Sequence, residues 1–176
     1  MHASFSFLKM SVTMDNCTIS ENKASSSPYA TTGGGVVASN GVNLTMLDCT
    51  VFRNFAIKEG GGLAFFGSHV RMERCLITEN QALYGGGLIV DSSSYLSCTE
   101  TSYLSNEAVR GAGAYISGSL STSDFEECTF AHNVASEGSG AGLYISSGTV
   151  SIESSSVLNN TGSGAYFTLK SGAADG

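Results

Sequence analysis

Apolar and polar positions alternate along this chain in short runs of three to five residues, and the runs repeat. Val12-Thr13-Met14, Cys17-Thr18-Ile19 and Leu63-Ala64-Phe65 are representative. Alternation of period two over so few residues predicts strands, because successive side chains of a strand point to opposite faces. No segment sustains a helical period. Turn residues separate the runs.

The repetition has a fixed interval. Asn22, Asn54, Asn80, Asn106, Asn133 and Asn160 are spaced by 32, 26, 26, 27 and 27 residues. Aligning the chain on them reveals further columns. Three residues earlier stand Ile19, Val51, Ile77, Tyr103, Phe130 and Val157. Eight residues earlier stand Met14, Met46, Met72, Cys98, Phe125 and Ile152. Two residues later stand Ala24, Ala56, Ala82, Ala108 and Ala135, then Gly162. A glycine column follows, Gly35, Gly62, Gly87, Gly113, Gly142 and Gly164, and opens the third run of each unit.

Three short strands in a unit of 26 or 27 residues are too few for a propeller blade, which needs roughly 40 residues. The leucine comb of leucine-rich repeats is absent. The pattern predicts an all-β fold, a right-handed single-stranded parallel β-helix of about six coils with three short strands per coil. Handedness follows from the preference of parallel crossovers. The coils fall near 10–40, 41–68, 69–93, 94–119, 120–148 and 149–172 within one repeat domain spanning 1–176. Ser4-Phe5-Ser6-Phe7-Leu8 has the pattern of a preceding unit's last strand, so the chain is expected to be part of a longer array. Stacking brings like residues to about 4.8 Å spacing. The six asparagines are then expected to form a ladder at tight bends, where left-handed backbone is needed and Asn tolerates it. The Met14/Met46/Met72/Phe125/Ile152 and Leu63/Leu88/Leu143 columns are expected to point inward.

The phrases Phe130-Ala131-His132-Asn133 and Gly85-Gly86-Gly87-Leu88-Ile89 resemble the Phe-x-x-Asn and Gly-Gly-Ala-(Ile/Leu/Val) repeats of polymorphic outer membrane proteins, the chlamydial surface autotransporters. The units are also similar to right-handed β-helix repeats of the pectin-lyase-like superfamily. The resemblance covers nearly the whole chain and implies a β-helix placed outside the cell or at its surface. Only one unit has Phe in the aligned slot.

Charge narrows the function. The net charge is −7 and the pI about 4.8. This argues against nucleic acid as a partner, since phosphate binding requires a basic stripe. No apolar run reaches the roughly 18 residues of a membrane-spanning helix. Of the five cysteines, Cys17, Cys49, Cys75 and Cys128 share one column and Cys98 lies in another. They are expected to be reduced, small buried hydrophobes. No zinc-ligand spacing such as C-x₂-C occurs. His2, His69 and His132 are scattered. Asp15, Asp48, Glu73, Glu100, Glu126, Glu127 and Glu153 gather at the bend between the first two strands of a unit, and Arg74 interrupts them. A solvated edge is the expectation rather than a calcium site. The Asn-Thr-Asp, Asp-Asp, Gly-His-Gly and Arg-Ile-Lys signatures of polygalacturonase-like enzymes are missing, and Asp91, Asp124 and Asp175 stand alone.

No catalytic residue, cofactor or metal is therefore assigned. Tyr115, Tyr144 and Tyr166 occupy the slot two after the column glycine, and alternation points them outward. They are the candidate binding residues, a strip for a host-surface protein or a glycan. The expected function is a non-catalytic, adhesin-like segment of a secreted or cell-surface protein. The alternative is part of a polysaccharide-active or carbohydrate-binding β-helix.

Overall fold

The computed structural model describes residues 10–25 and 32–167. The strand expected over Ser4–Leu8, His2 and Asp175 lie outside these residues. Every regular element described is a β-strand, and every strand pairing is parallel. Sheet 1 contains Ser11–Asp15, Asn43–Leu47, His69–Glu73, Tyr95–Thr99, Thr122–Glu126 and Thr149–Glu153. Sheet 2 contains Thr18–Ser20, Thr50–Phe52, Leu76–Thr78, Ser102–Leu104, Thr129–Ala131 and Ser156–Leu158. Sheet 3 contains Val36–Ser39, Leu63–Phe66, Leu88–Asp91, Ala114–Ile116, Leu143–Ile145 and Ala165–Phe167. The chain visits the three sheets in turn and then steps to the next rung. Six rungs stack, so five complete turns separate the first strand of sheet 1 from its last.

Register is one-to-one in all three sheets. Met14 pairs with Met46, Met46 with Met72, Met72 with Cys98, Cys98 with Phe125 and Phe125 with Ile152. A slip of one residue would turn each apolar column out to water, which fixes the register wherever one face is buried. Met46, Met72 and Phe125 are buried, as are Leu63, Leu88 and Leu143. Ile152 lies in the last rung and is 37% exposed. Tyr103 stacks on Phe130 at 4.8 Å and 4°, and Phe125 meets both rings edge-on.

The bends differ from expectation by one residue. Positive φ falls on Glu21, Arg53, Glu79, Ser105, His132 and Asn159, each directly before a ladder asparagine and none at one. A second series, Asn16, Asp48, Arg74, Glu100, Glu127 and Ser154, marks the bend between sheets 1 and 2. The left-handed residue makes the corner, and the residue after it is the one that lies inside the stack. Corner side chains meet mainly water, so many residue types serve there. The ladder position needs an amide inside.

The acidic cluster divides between two positions of this bend. Asp15, Glu73, Glu126 and Glu153 end sheet 1 strands, whereas Asp48, Glu100 and Glu127 sit at the left-handed corner. Arg74 holds Asp48 through two contacts of 2.8 and 2.9 Å and also pairs with Glu73. The Asp48 carboxyl is thereby held below the usual carboxylate range.

A fourth, shorter line of pairing follows sheet 2. Lys23–Ala24 pairs with Phe55–Ala56, and Glu107–Arg110 with Val134–Ser139. Single bridges continue the line through Gln81 and on to Thr161.

Candidate binding face

The asparagine ladder positions sheet 3. Nδ2 of Asn80 donates to the Val51 carbonyl at 2.9 Å and to Oδ1 of Asn106 at 3.1 Å, and the Asn80 backbone N–H donates to the same Oδ1 at 3.0 Å. Asn54, Asn106 and Asn133 make the same set of bonds. Asn54, Asn80, Asn106 and Asn133 are buried, and their polar atoms are satisfied, which a buried amide requires. The glycines that open the first five sheet 3 strands lie against this ladder.

On the outer face of sheet 3 one column runs Val37, Ala64, Ile89, Tyr115, Tyr144, Tyr166. The three tyrosines stack directly on one another. Ring centroids of Tyr115 and Tyr144 are 4.9 Å apart at 3°, and those of Tyr144 and Tyr166 are 4.9 Å apart at 17°. Tyr84 joins from outside the column, tilted at 46° and 5.5 Å from Tyr115. Tyr115 and Tyr144 are half-buried, and Tyr166 is exposed. Burial raises the Tyr115 phenol, and a hydrogen bond with Ser146 works against it.

The strip is shorter than alternation implies. Ala64 and Ile89 face outward yet are buried. The turn that leads into sheet 3 folds back over them: a methyl group on Gly60 would lie 2.8 Å from the Ala64 Cβ and 3.0 Å from Ile89. The column is open at Val37 in the first rung and again over the three tyrosine rungs. Stacking occupies the ring faces between neighbours, and the Tyr115 hydroxyl is engaged by Ser146, so a ligand meets mainly ring edges.

Sequence reasoning missed Tyr84, because it lies before the glycine rather than in a strand. It also missed a shallow trough of about 290 Å³ beside the fourth line of pairing, where Phe55, Ile57, Leu83 and Val109 rim the buried Ala82 and Ala108. Its signal was present in Ile57, Leu83 and Val109, apolar residues that directly follow the alanine column.

Asp124, which stands alone in the sequence, lines one small depression of sheet 1 together with Glu126 and Glu153, whereas other carboxylates pair with arginine. Glu79 pairs with Arg53 at 2.8 Å, Glu73 with Arg71 at 2.7 Å and Glu137 with Arg110 at 2.7 Å, all at the surface. His132 stands exposed at its corner, and His69 lies 6.3 Å from the Tyr95 ring. Among the described residues no group of three or more His, Cys, Asp or Glu is arranged to hold a metal ion.

These ladders define a parallel β-solenoid. A family model described as the right-handed β-helix region matches residues 2–130, and the chain belongs to that family. Beyond the matched span, the same columns continue unbroken through Phe167. No curated protein and no solved structure matches the chain.

Proposed function

We propose that this chain is a non-catalytic, adhesin-like segment of a secreted or cell-surface protein, of the polymorphic-outer-membrane-protein kind, and that sheet 3 bears its ligand face. The observation that carries the reading is the stack Tyr115–Tyr144–Tyr166, which Tyr84 joins from outside the column. A repeat of 4.9 Å along the axis offers the same polar edge again and again. The ligand that suits it is an extended chain with regularly spaced hydrogen-bonding groups, a glycan or an extended protein segment on a host surface. One edge binds weakly, and several engaged together gain through effective concentration. The arginine-paired carboxylates at the bends support a structural role for those acids rather than acid–base chemistry, which needs a carboxyl pair flanking the scissile bond.

The test is a panel of plant, bacterial and animal glycans and polysaccharides assayed for both retention and turnover. Binding without release of reducing ends or unsaturated product is expected. Turnover of any member, lost when Glu126 or Glu153 is changed to Gln, contradicts the reading and favours a polysaccharide-active β-helix.

A further inference from the structure

The outer face of sheet 1 carries a column with an order of its own. Over rungs two to six it runs Thr45, Arg71, Ser97, Asp124, Ser151. Ser97 is the centre. The cation stands one rung before it, the anion one rung after it, and a hydroxyl lies two rungs away on either side. Rungs are about 4.8 Å apart, so Arg71 and Asp124 are held about 10 Å apart along the axis, too far to pair within the chain. The outward column alongside runs Asn43, His69, Tyr95, Thr122, Thr149, with Tyr95 on the same central rung and 42% exposed.

The charges of this face are only partly matched. Among the described residues Asp124, Glu126 and Glu153 have no cationic partner. Arg71 gives one nitrogen to Glu73 at 2.7 Å, and Arg74 holds the same carboxylate. A guanidinium has five N–H donors, and the Arg71 side chain is 65% exposed, so donors remain for a second carboxylate. A hollow of about 240 Å³ among Asn43, Thr45, His69, Arg71 and Tyr95 lies toward the first rungs. One of about 140 Å³ among Asp124, Glu126, Ser151 and Glu153 lies toward the last.

We propose that the outer face of sheet 1 is a self-association face and that its partner is a second copy of this chain, in an antiparallel dimer. A twofold axis along the strand direction at rung four keeps each column opposite itself and reverses the order of the rungs. Arg71 then meets Asp124 of the second copy, and Asp124 meets Arg71 of the second copy, the reciprocal pattern of an isologous interface. Tyr95 meets Tyr95 of the second copy at the centre, where aromatic anchors contribute most. The hollow at the cationic end faces the hollow at the acidic end. Glu73 and Glu126 also come opposite each other, and Arg74, already on Glu73, supplies the cation there. The other face-to-face arrangement, with the twofold axis along the solenoid, sets Arg71 on Arg71 and Asp124 on Asp124. Charge therefore selects the antiparallel one. The dimer leaves the tyrosines of sheet 3 uncovered and does not rest on the proposed ligand face.

Sedimentation equilibrium of the full chain reads the dimer. The net charge of −7 on each copy opposes association, so the concentration range extends to about 1 mM. A reversible dimer is expected. Arg71→Glu and Asp124→Arg, each checked for fold by circular dichroism, turn two attractions into two repulsions and are expected to raise its Kd by about tenfold or more. An equimolar mixture of the two variants again places opposite charges at both contacts, and so does the double variant Arg71→Glu/Asp124→Arg. Both are expected to dimerise like the unaltered chain. An unaltered chain that stays monomeric throughout overturns the proposal. So does a dimer that both single variants keep, as end-to-end stacking of rungs would give, or a loss that the mixture does not rescue. Changing Tyr115, Tyr144 and Tyr166 to Ser is expected to leave the dimer intact, so a failure here is distinguishable from a failure of the proposed function.

Discussion

A methyl group on Gly62 would lie 3.0 Å from Nδ2 of Asn80 and 2.7 Å from the carbonyl oxygen of Gly87. The same crowding relates Gly35 to Asn54, Gly87 to Asn106, Gly113 to Asn133 and Gly142 to Asn160. The two most regular columns of the chain are therefore one feature. The amide of each rung occupies room that the glycine of the preceding rung leaves by lacking a Cβ, and its hydrogen bonds tie the rungs together.

Replacing Asn80 or Asn106 with Leu is expected to destabilise the fold by roughly 1–3 kcal/mol, since each change leaves buried backbone groups without their partners. Gly62→Ala is expected to cost a similar amount through the close contacts. Urea unfolding followed by circular dichroism measures both. Unchanged midpoints for both Asn variants would remove the ladder as a source of stability.

Ser123 sits in the inward column Val12, Leu44, Val70, Leu96, Ser123, Val150. It is buried, and its hydroxyl has no partner. Ser123→Val removes the orphaned group and restores the column, so a gain of about 1 kcal/mol is expected. A loss on the same unfolding curve, with Ser123→Ala neutral, would show that the site has no room for the added methyl group.

Burial pushes the Tyr103 phenol and the Cys98 thiol upward, and the two groups lie 3.2 Å apart in the core. Because the folded values exceed the unfolded ones, this stability is complete below the ordinary thiol and phenol range and is lost as pH rises through it. A decline from about pH 9 upward is therefore expected. Tyr103→Phe should move the alkaline limb to higher pH, although its stability at neutral pH also changes. A flat profile from pH 8 to about 11, or one that Phe leaves in place, would contradict this account.

All five cysteines are free thiols in the structure, and the closest sulfurs, Cys98 and Cys128, are 3.7 Å apart, a contact and not a bond. Alkylation in denaturant without reductant, followed by mass spectrometry, should find five labelled thiols. A substantial fraction carrying an intramolecular disulfide would count against it.

The sheets and their register were legible because they rest on inward columns, and a buried column restricts residue type at every rung. Met46, Met72 and Phe125 announce sheet 1 in this way, as Leu63, Leu88 and Leu143 announce sheet 3. The corners were not legible. Arg53, Glu79, Ser105 and His132 share one backbone conformation, but their side chains face water and have no residue type in common. The burial of Ala64 and Ile89 was hidden for another reason. Alternation reports which side of a strand a residue takes, not whether a turn folds back over that side. Tyr84 was hidden likewise, since only the return of that turn brings it to Tyr115.

The most direct test of the ligand face is glycan-array and cell-adhesion binding by the variant in which Tyr115, Tyr144 and Tyr166 are all changed to Ser, its fold checked by circular dichroism. A control changes Thr50 and Thr129, which lie on the outer face of sheet 2, to Ala. The tyrosine variant is expected to lose binding and the control to keep it. Binding that survives loss of all three tyrosines in a folded chain would contradict the assignment of this face.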